Sequence, residues 1–445
     1  MAELYTVSPG GKLSLHTHLG QTKTWDSTRR FVFMLAGSQG GKTTFGPWWL
    51  FREVYGFGNY PGGGSGDYLA VTSSFDLFKL KMLPAIRDAF EYTTARGRYW
   101  AGDKILELRD PQTGKFWARS PQDRMWGRII LRSAQSTGGL ESATAKAAWL
   151  DEVGQDDFTL ENWEAVLRRL SLTQGRVLGT TTLYNLGWLK TEVYERWQNG
   201  DPLFDVIQFE STINPKFPQA EYDRAKGTMA DWKFQMFYRG QFAKPAGLIL
   251  SDFTDDMLVD PFAVPKEWPR LVGIDFGGVN TAKVYWALDP QKELWYLYKD
   301  VLEGDMTSAE HAQNVLAELE GCAEYAVYGG AKSEGQQRAD WGAGGLWVRE
   351  PGIADVEGGL DRMIGLIKGN RVRVFRTSKG WRDEQGTYRR NVDEAGETTD
   401  EILDKRKFHR MDGTRYALSS VLVWDASSVS TDYYSDAGRG RGVMR

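Results

Sequence analysis

Residues 36–44 read AGSQGGKTT and follow an unbroken apolar run, Phe31–Ala36 (FVFMLA). Such a run suits a buried strand and is far too short to span a membrane. The stretch after the glycines is rich in Trp and Phe, so the local order is strand, Gly-rich turn, helix. The turn is close to the phosphate-binding loop G-x-x-x-x-G-K-[ST]. Glycines let successive backbone N–H groups face phosphate oxygens, a helix N-terminus favours anions, and a lysine neutralises charge. Lys42 is therefore expected at the β- and γ-phosphates of ATP and Thr43 on a Mg²⁺ ion. Gly37, Ser38, Gln39, Gly40, Gly41 and Thr44 are expected around the phosphates. One position departs from the pattern: Ala36 stands where the first glycine belongs, with Gly37 beside it. The plain alternative, an ordinary Gly-rich turn, sits poorly with the strand–loop–helix context.

A phosphate loop needs a carboxylate partner. Ala147–Glu152 (AAWLDE) is a buried-strand pattern ending in two acids. Asp151 is expected to hold Mg²⁺, directly or through water, and Glu152 to activate the attacking water. Asp-Glu after an apolar run is common, and gains weight only from following a phosphate loop. Thr180–Thr182 ends the next strand candidate; it reads equally as a γ-phosphate sensor and as ordinary strand material.

At 445 residues the chain has room for two or three domains. The single cysteine, Cys322, excludes an intrachain disulfide and fits a reducing cytoplasm. The N-terminus has no basic flank followed by an apolar core, so it does not read as a signal peptide. The net charge of −4 is not that of a simple basic nucleic-acid module. Basic residues do gather late, from Lys368, Arg371, Arg373 and Arg376 to Arg389, Arg390, Lys405, Arg406 and Lys407, with acids interleaved. That tract reads equally as a solvated face and as a DNA track.

Strand patterns at Arg128–Arg132 and Arg176–Thr182 alternate with a helical pattern at Glu161–Leu170, which implies a parallel sheet covered by helices. Residues 246–268, with no clear periodicity, are expected to be a connector. Beyond them lie strand candidates at Arg270–Asp275, Glu293–Tyr298, Glu324–Tyr328, Leu346–Val348 and Arg371–Phe375. Helices are expected at Ser308–Leu319, Asp355–Ile367 and His409–Val423, and a flexible tail at 431–445.

In order along the chain, these motifs resemble the large terminase subunits, the genome-packaging motors of tailed bacteriophages. Beyond the phosphate loop and LDE, Gln21 lies where that family places an adenine-reading glutamine. GTTTLYN (Gly179–Asn185) resembles its ATPase–DNA coupling motif. INPKFP (Ile213–Pro218) and YRGQF (Tyr238–Phe242) resemble the end of its ATPase half. The likeness covers nearly the whole chain. Two features differ. Many relatives carry an arginine within the phosphate loop, where this chain has Ser38 or Gln39. Many also carry an arginine finger about ten residues before the LDE aspartate, where this chain has Glu141.

The resemblance implies an α/β chain with an N-terminal P-loop ATPase domain of the ASCE type at 1–245. A C-terminal ribonuclease H-like nuclease domain is implied at 269–430. In the second domain Asp275 (GIDFG) ends a strand among small residues, and Asp412 lies in FHRMDGTRY. There His409, Asp412, Arg415 and Tyr416 share one helix face by spacing. The family's scheme gathers carboxylates around two Mg²⁺ or Mn²⁺ ions. A third acid is expected after EYAVY, but Gly329 and Gly330 stand there; Glu334 is the nearest acid and Glu384 the reserve. Implied partners are double-stranded DNA, a small terminase subunit and the portal of a procapsid. A homo-oligomeric ring, no membrane association and the host cell cytoplasm as location complete the expectation. Two rivals remain: a helicase–nuclease of DNA repair or replication, and an ATP-driven adaptor with an inactive nuclease domain.

Overall fold

The computed structural model describes residues 4–9, 12–120, 122–135, 144–277, 279–353, 355–392 and 398–421. Glu141 and the expected tail lie outside these. The chain forms two compact units, Met1–Pro245 and Ala246–Arg445.

The first unit opens with a short hairpin, β1 (Tyr5–Val7) and β2 (Leu13–Leu15), and a helix, Leu19–Asp26. Its sheet takes β3 (Phe31–Ala36), β4 (Gly66–Thr72), β5 (Gly97–Trp100), β6 (Ile105–Leu108), β7 (Gly127–Ser133), β8 (Ala147–Asp151), β9 (Arg176–Thr181) and β10 (Phe204–Phe209). These eight strands lie in the order β10-β3-β9-β8-β4-β7-β6-β5. From β10 to β7 all pairs are parallel. That part is the parallel sheet the sequence predicts, and β3 is buried along its whole length, as an interior parallel strand must be. The far edge departs from the prediction, because β5 and β6 pair antiparallel, as do β6 and β7. Only residues 101–104 join β5 to β6, and a parallel crossover needs a dozen or more. Each face buries its own core. Phe33 and Leu35 pack with Trp163 and Val166 of the helix Leu160–Leu170. Met34 packs on the other side with Phe45, Trp49 and Leu50 of the helix Lys42–Tyr55.

The second unit is built on β11 (Leu258–Val259), β12 (Arg270–Asp275), β13 (Thr281–Asp289), β14 (Leu294–Glu303), β15 (Tyr325–Gly329) and β16 (Val372–Phe375), ordered β11-β16-β14-β13-β12-β15. β12, β13 and β14 run antiparallel, and β15 lies parallel to the other side of β12. A parallel bridge from Tyr328 to Arg349 adds the start of one more strand beyond β15. Three antiparallel strands with two parallel ones beside the first is the ribonuclease H-like order. A hairpin of β17 (Arg390–Val392) and β18 (Thr398–Ile402) stands apart from this sheet.

Two readings of the sequence change here. A strand absent from the expected set, β13, lies between β12 and β14, and its polar members Lys283 and Asp289 hid a strand that is buried throughout. Residues 246–268 also contribute to the second unit's core. Ile249, Leu250, Phe253, Met257 and Leu258 pack with Trp286 and Trp381. The helix expected over His409–Val423 spans His409–Leu418.

Candidate nucleotide and nuclease sites

In the first unit β9 separates the P-loop strand β3 from the carboxylate strand β8. The end of β9 therefore lies between the loop and the acids, and the Thr run bonds to both. Lys42 donates to the carbonyls of Ala36 (3.0 Å) and Gly37 (2.9 Å) and to Thr182 Oγ1 (2.9 Å). Thr43 Oγ1 donates to Asp151 Oδ2 at 3.0 Å, and Thr180 Oγ1 to Asp151 Oδ1 at 2.7 Å. Thr181 and Tyr184 reach Glu152 Oε2, each at 3.4 Å. Trp149 fixes Thr180 in turn, through Nε1–H to Oγ1 at 3.0 Å. That indole lies over the P-loop helix where Gly46 leaves room; a Cβ there would fall 2.1 Å from the ring.

Burial governs the charges. It pushes the Asp151 carboxyl up to about 7, with Glu152 adding repulsion, and Thr180, Thr43 and Lys42 pulling the other way. It also lowers the Lys42 ammonium to about 8, against the attraction of Glu152 and Asp151. Glu152 holds a left-handed backbone, φ +56°, and is 6% exposed. A non-glycine residue there costs on the order of 1 kcal/mol.

The loop is braced from outside. Ser211 Oγ donates to the Ser38 carbonyl (2.7 Å) and Asn214 Nδ2 to that of Gln39 (2.6 Å). Gln21 is buried; its Nε2 donates to the Gly41 carbonyl at 3.2 Å and its Oε1 accepts from the His18 N–H at 3.3 Å. His18, missed by sequence reading, contacts the Gly40 carbonyl at 3.1 Å. Thr44 Oγ1 caps the turn through the Gly41 carbonyl at 3.0 Å.

In the second unit β12 carries Asp275 to the N-terminal end of the helix His409–Leu418. Asp275 Oδ2 meets His409 Nδ1 at 2.8 Å, and this contact raises the histidine's pKa. Asp412 Oδ1 accepts from the buried Arg415 at 2.8 Å. Burial raises the Asp412 carboxyl, Arg415 opposes, and the charge of Asp275 adds to the rise. Asp275, His409, Asp412 and Arg415 thus form one cluster. Glu334 stands at the start of the helix Gly335–Ala343, where its Oε2 accepts the Ala331 N–H at 2.5 Å. The same oxygen lies 3.1 Å from where a Cβ on Gly330 would be.

Glu384 is engaged elsewhere. It is buried and accepts the N–H groups of Arg410 (2.8 Å) and Met411 (3.1 Å) and the Arg410 guanidinium (3.0 Å). It is an anchor for the helix that carries Asp412. Among the described residues no group of three or more His, Cys, Asp or Glu side chains is arranged to hold a metal. Several members of the late basic tract pair with acids from elsewhere in the unit: Arg371 with Glu293, Arg376 with Asp260, Arg390 with Glu357. No helix among the described residues is long and apolar enough to cross a membrane.

Fold and sites together define a P-loop unit of the type with a strand inserted between loop and carboxylate, joined in one chain to a ribonuclease H-like unit. No protein-family model matches the chain, and no curated protein does. Among solved structures it is similar to large terminases of several phages. One is the large terminase of a thermophilic bacteriophage, at 14% identity over 91% of this chain and 98% of that one, with a TM-score of 0.43. Structures of that terminase in complex with ADP and with ATP-gamma-S are also similar. Another is the large terminase of bacteriophage HK97, at 14% identity over 92% and 95% of the two chains, TM-score 0.48. A third is the large terminase ATPase domain of Thermus phage P74-26, at 17% identity over 52% of this chain and 95% of that one, TM-score 0.44.

Proposed function

We propose that this chain is a phage DNA-packaging motor of the large-terminase type. Its first unit hydrolyses ATP to move double-stranded DNA into a procapsid, and its second cuts concatemeric DNA. The observation that carries the reading is the Thr43–Asp151 contact at 3.0 Å, which sets the P-loop helix against a strand ending in two acids. Beside it Lys42 is held on its own loop, and the ordered set of sequence motifs surrounds it.

In this reading the backbone N–H groups of Gln39, Gly41 and Lys42 face the phosphates, while those of Gly37, Ser38 and Gly40 donate to the carbonyls of Phe209, Phe237 and Gly37, and Lys42 turns from its loop carbonyls to the β- and γ-phosphates. Gln21 contributes to the adenine site. Thr43 and Asp151 would hold Mg²⁺. The pair fits that ion, because burial makes Asp151 costly to ionise and a bound cation offsets the cost. The ion would neutralise charge developing on the phosphate oxygens. Glu152 orients the attacking water and takes its proton, with Tyr184 and Thr181 fixing the carboxylate. The reading brings the partners named for the resemblance: a small terminase subunit, a portal, a ring of like subunits, and a site of action in the host cytoplasm.

For the second unit, Asp275, Glu334 and Asp412 are the proposed nuclease carboxylates. As arranged they fall short of a two-ion Mg²⁺ or Mn²⁺ centre, since His409 and Arg415 already pair with Asp275 and Asp412. That pairing, with glycines at 329 and 330, favours a second reading: an ATP-driven motor whose second unit does not cut.

Purified protein with procapsids, DNA and ATP tests the motor. ATP-dependent protection of DNA from added DNase is expected; strand unwinding without procapsids and no protection would replace the reading with a helicase. Plasmid digestion with Mg²⁺, Mn²⁺ or EDTA separates the two readings of the second unit.

A further inference from the structure

Each carbonyl from Ser38 to Gly41 is held by a side chain from outside the P-loop. Ser211 Oγ bonds Ser38, Asn214 Nδ2 bonds Gln39, His18 Nε2 bonds Gly40 and Gln21 Nε2 bonds Gly41. The two carbonyls before these, of Ala36 and Gly37, are held by Lys42. In a planar trans peptide the C=O of one residue and the N–H of the next point in opposite directions. Anchoring the carbonyls of residues 38, 40 and 41 outward therefore aims the N–H groups of Gln39, Gly41 and Lys42 to the other side, where a phosphate loop needs its donors, while the Gly40 N–H closes a turn on the Gly37 carbonyl at 3.1 Å.

We propose that His18, Gln21, Ser211 and Asn214 form a collar that presets the P-loop for phosphate, with His18 and Asn214 as positioning residues of the nucleotide site. The proposal rests on the ATPase reading above.

His18 is built for the task. It precedes the helix Leu19–Asp26 in an extended conformation, φ −80° and ψ 170°. Its Nδ1 lies 3.5 Å from the Gln21 N–H while the Gln21 side chain reaches back to the His18 N–H, a capping box made of His and Gln. The Gln21 N–H can only donate, so Nδ1 carries a lone pair. The Gly40 carbonyl can only accept, so Nε2 carries the hydrogen. Both ring nitrogens are thereby assigned, and one imidazole ties the first turn of this helix to the loop. The ring also meets Phe209 edge-on, with centroids 5.3 Å apart, which fixes its plane. Asn214 is fixed likewise, because its Oδ1 accepts the Lys216 N–H at 3.1 Å while its amide holds Gln39. Gln39 needs the support, having a left-handed backbone with φ +60°.

Two substitutions at His18 separate the halves of its role. His18→Asn keeps an oxygen at the capping position but cannot reach Gly40. His18→Gln places an amide N–H near the Nε2 position and caps poorly. Steady-state ATP hydrolysis by the full chain with Mg²⁺ is the assay, with thermal melting alongside. His18→Asn and Asn214→Ala are expected to raise the KM for ATP by about two- to tenfold, the worth of one hydrogen bond. His18→Gln should recover most of that loss even where it melts earlier. Wild-type KM in His18→Asn, or equal KM defects in His18→Asn and His18→Gln, overturns the collar while leaving the ATPase reading intact. A wild-type chain that neither binds nor hydrolyses ATP overturns both.

Discussion

Gly273 of β12 and Gly413 of the helix His409–Leu418 meet backbone to backbone: a methyl group at Gly273 would lie 1.9 Å from the Gly413 carbonyl oxygen. No side chain could separate them without moving the helix. The crossing sets how far Asp275, two residues along the strand, stands from His409 and Asp412. Gly273→Ala is expected to destabilise the second unit by about 1–3 kcal/mol, as overpacking does in a close-packed core. It should also abolish any DNA cleavage while sparing ATP hydrolysis in the separately cored first unit. A melting curve and paired cleavage and ATPase assays check this; wild-type melting would mean the helix shifts at little cost.

At the first unit's site, Lys42→Ala should abolish ATP hydrolysis, because it removes the ammonium that stands on the loop carbonyls beside Thr182. Glu152→Gln should still bind ATP but turn it over at least about 100-fold more slowly, within the range for losing a general base. Equilibrium binding of a labelled nucleotide with single-turnover hydrolysis separates these effects. Normal turnover by Glu152→Gln would remove Glu152 as the base.

The P-loop was legible because its chemistry is local: strand, glycines, lysine and helix are consecutive. LDE was legible only as its partner. The contacts of the Thr run were not, since they depend on β9 lying between β3 and β8, a property of strand order. His18 was hidden for another reason. H-x-x-Q is an uncommon capping pair, and its second contact is with Gly40, 22 residues away. In the second unit Asp275 and Asp412 could be named from their motifs. Glu384 could not be excluded as a ligand until its oxygens were accounted for at the start of a helix 26 residues on.

Arg410 is shared by two buried carboxylates, Asp300 at 2.7 Å and Glu384 at 3.0 Å, so its single charge is divided between them. Burial pushes Glu384 up to about 8 from 4.5, and raises Asp300 as well. With the folded pKa above the unfolded one, the folded state holds the extra proton between these values. Stability from this group is therefore fully present below about 4.5 and is lost as pH rises through about 8. Glu384→Gln, which cannot ionise, should lose less stability over that window. Its melting temperature relative to wild type should climb from pH 5 to pH 9. A relative melting temperature that falls instead would show that the donors around Glu384 favour its charged form.

Asp275→Asn should eliminate cleavage and leave ATP hydrolysis largely intact, since the carboxamide keeps the shape but not the charge that a divalent ion requires. Unchanged cleavage by a folded Asp275→Asn chain would remove the proposed site.

Glu334 is the most exposed of these assignments to test. Its Oε2 lies 3.1 Å from the point a Gly330 side chain would occupy, so the carboxylate stands over the strand end that lacks an acid. The charge is felt across the cluster: Asp412, Asp275 and Glu334 all contribute to raising the Tyr416 hydroxyl, after burial. Yet the same oxygen accepts the Ala331 N–H at 2.5 Å, the bond of a local turn. A turn needs only an acceptor, whereas a metal site needs charge, so Glu334→Gln divides the two roles. If Glu334 serves the nuclease, Glu334→Gln should melt like wild type and lose most cleavage, with Glu334→Ala losing both cleavage and about 1 kcal/mol of stability. If it only closes the turn, Glu334→Gln should cut plasmid at the wild-type rate. A crystal soaked in Mn²⁺ gives the independent check: a Glu334 oxygen well beyond about 2.6 Å from the ion ends its candidacy as a ligand.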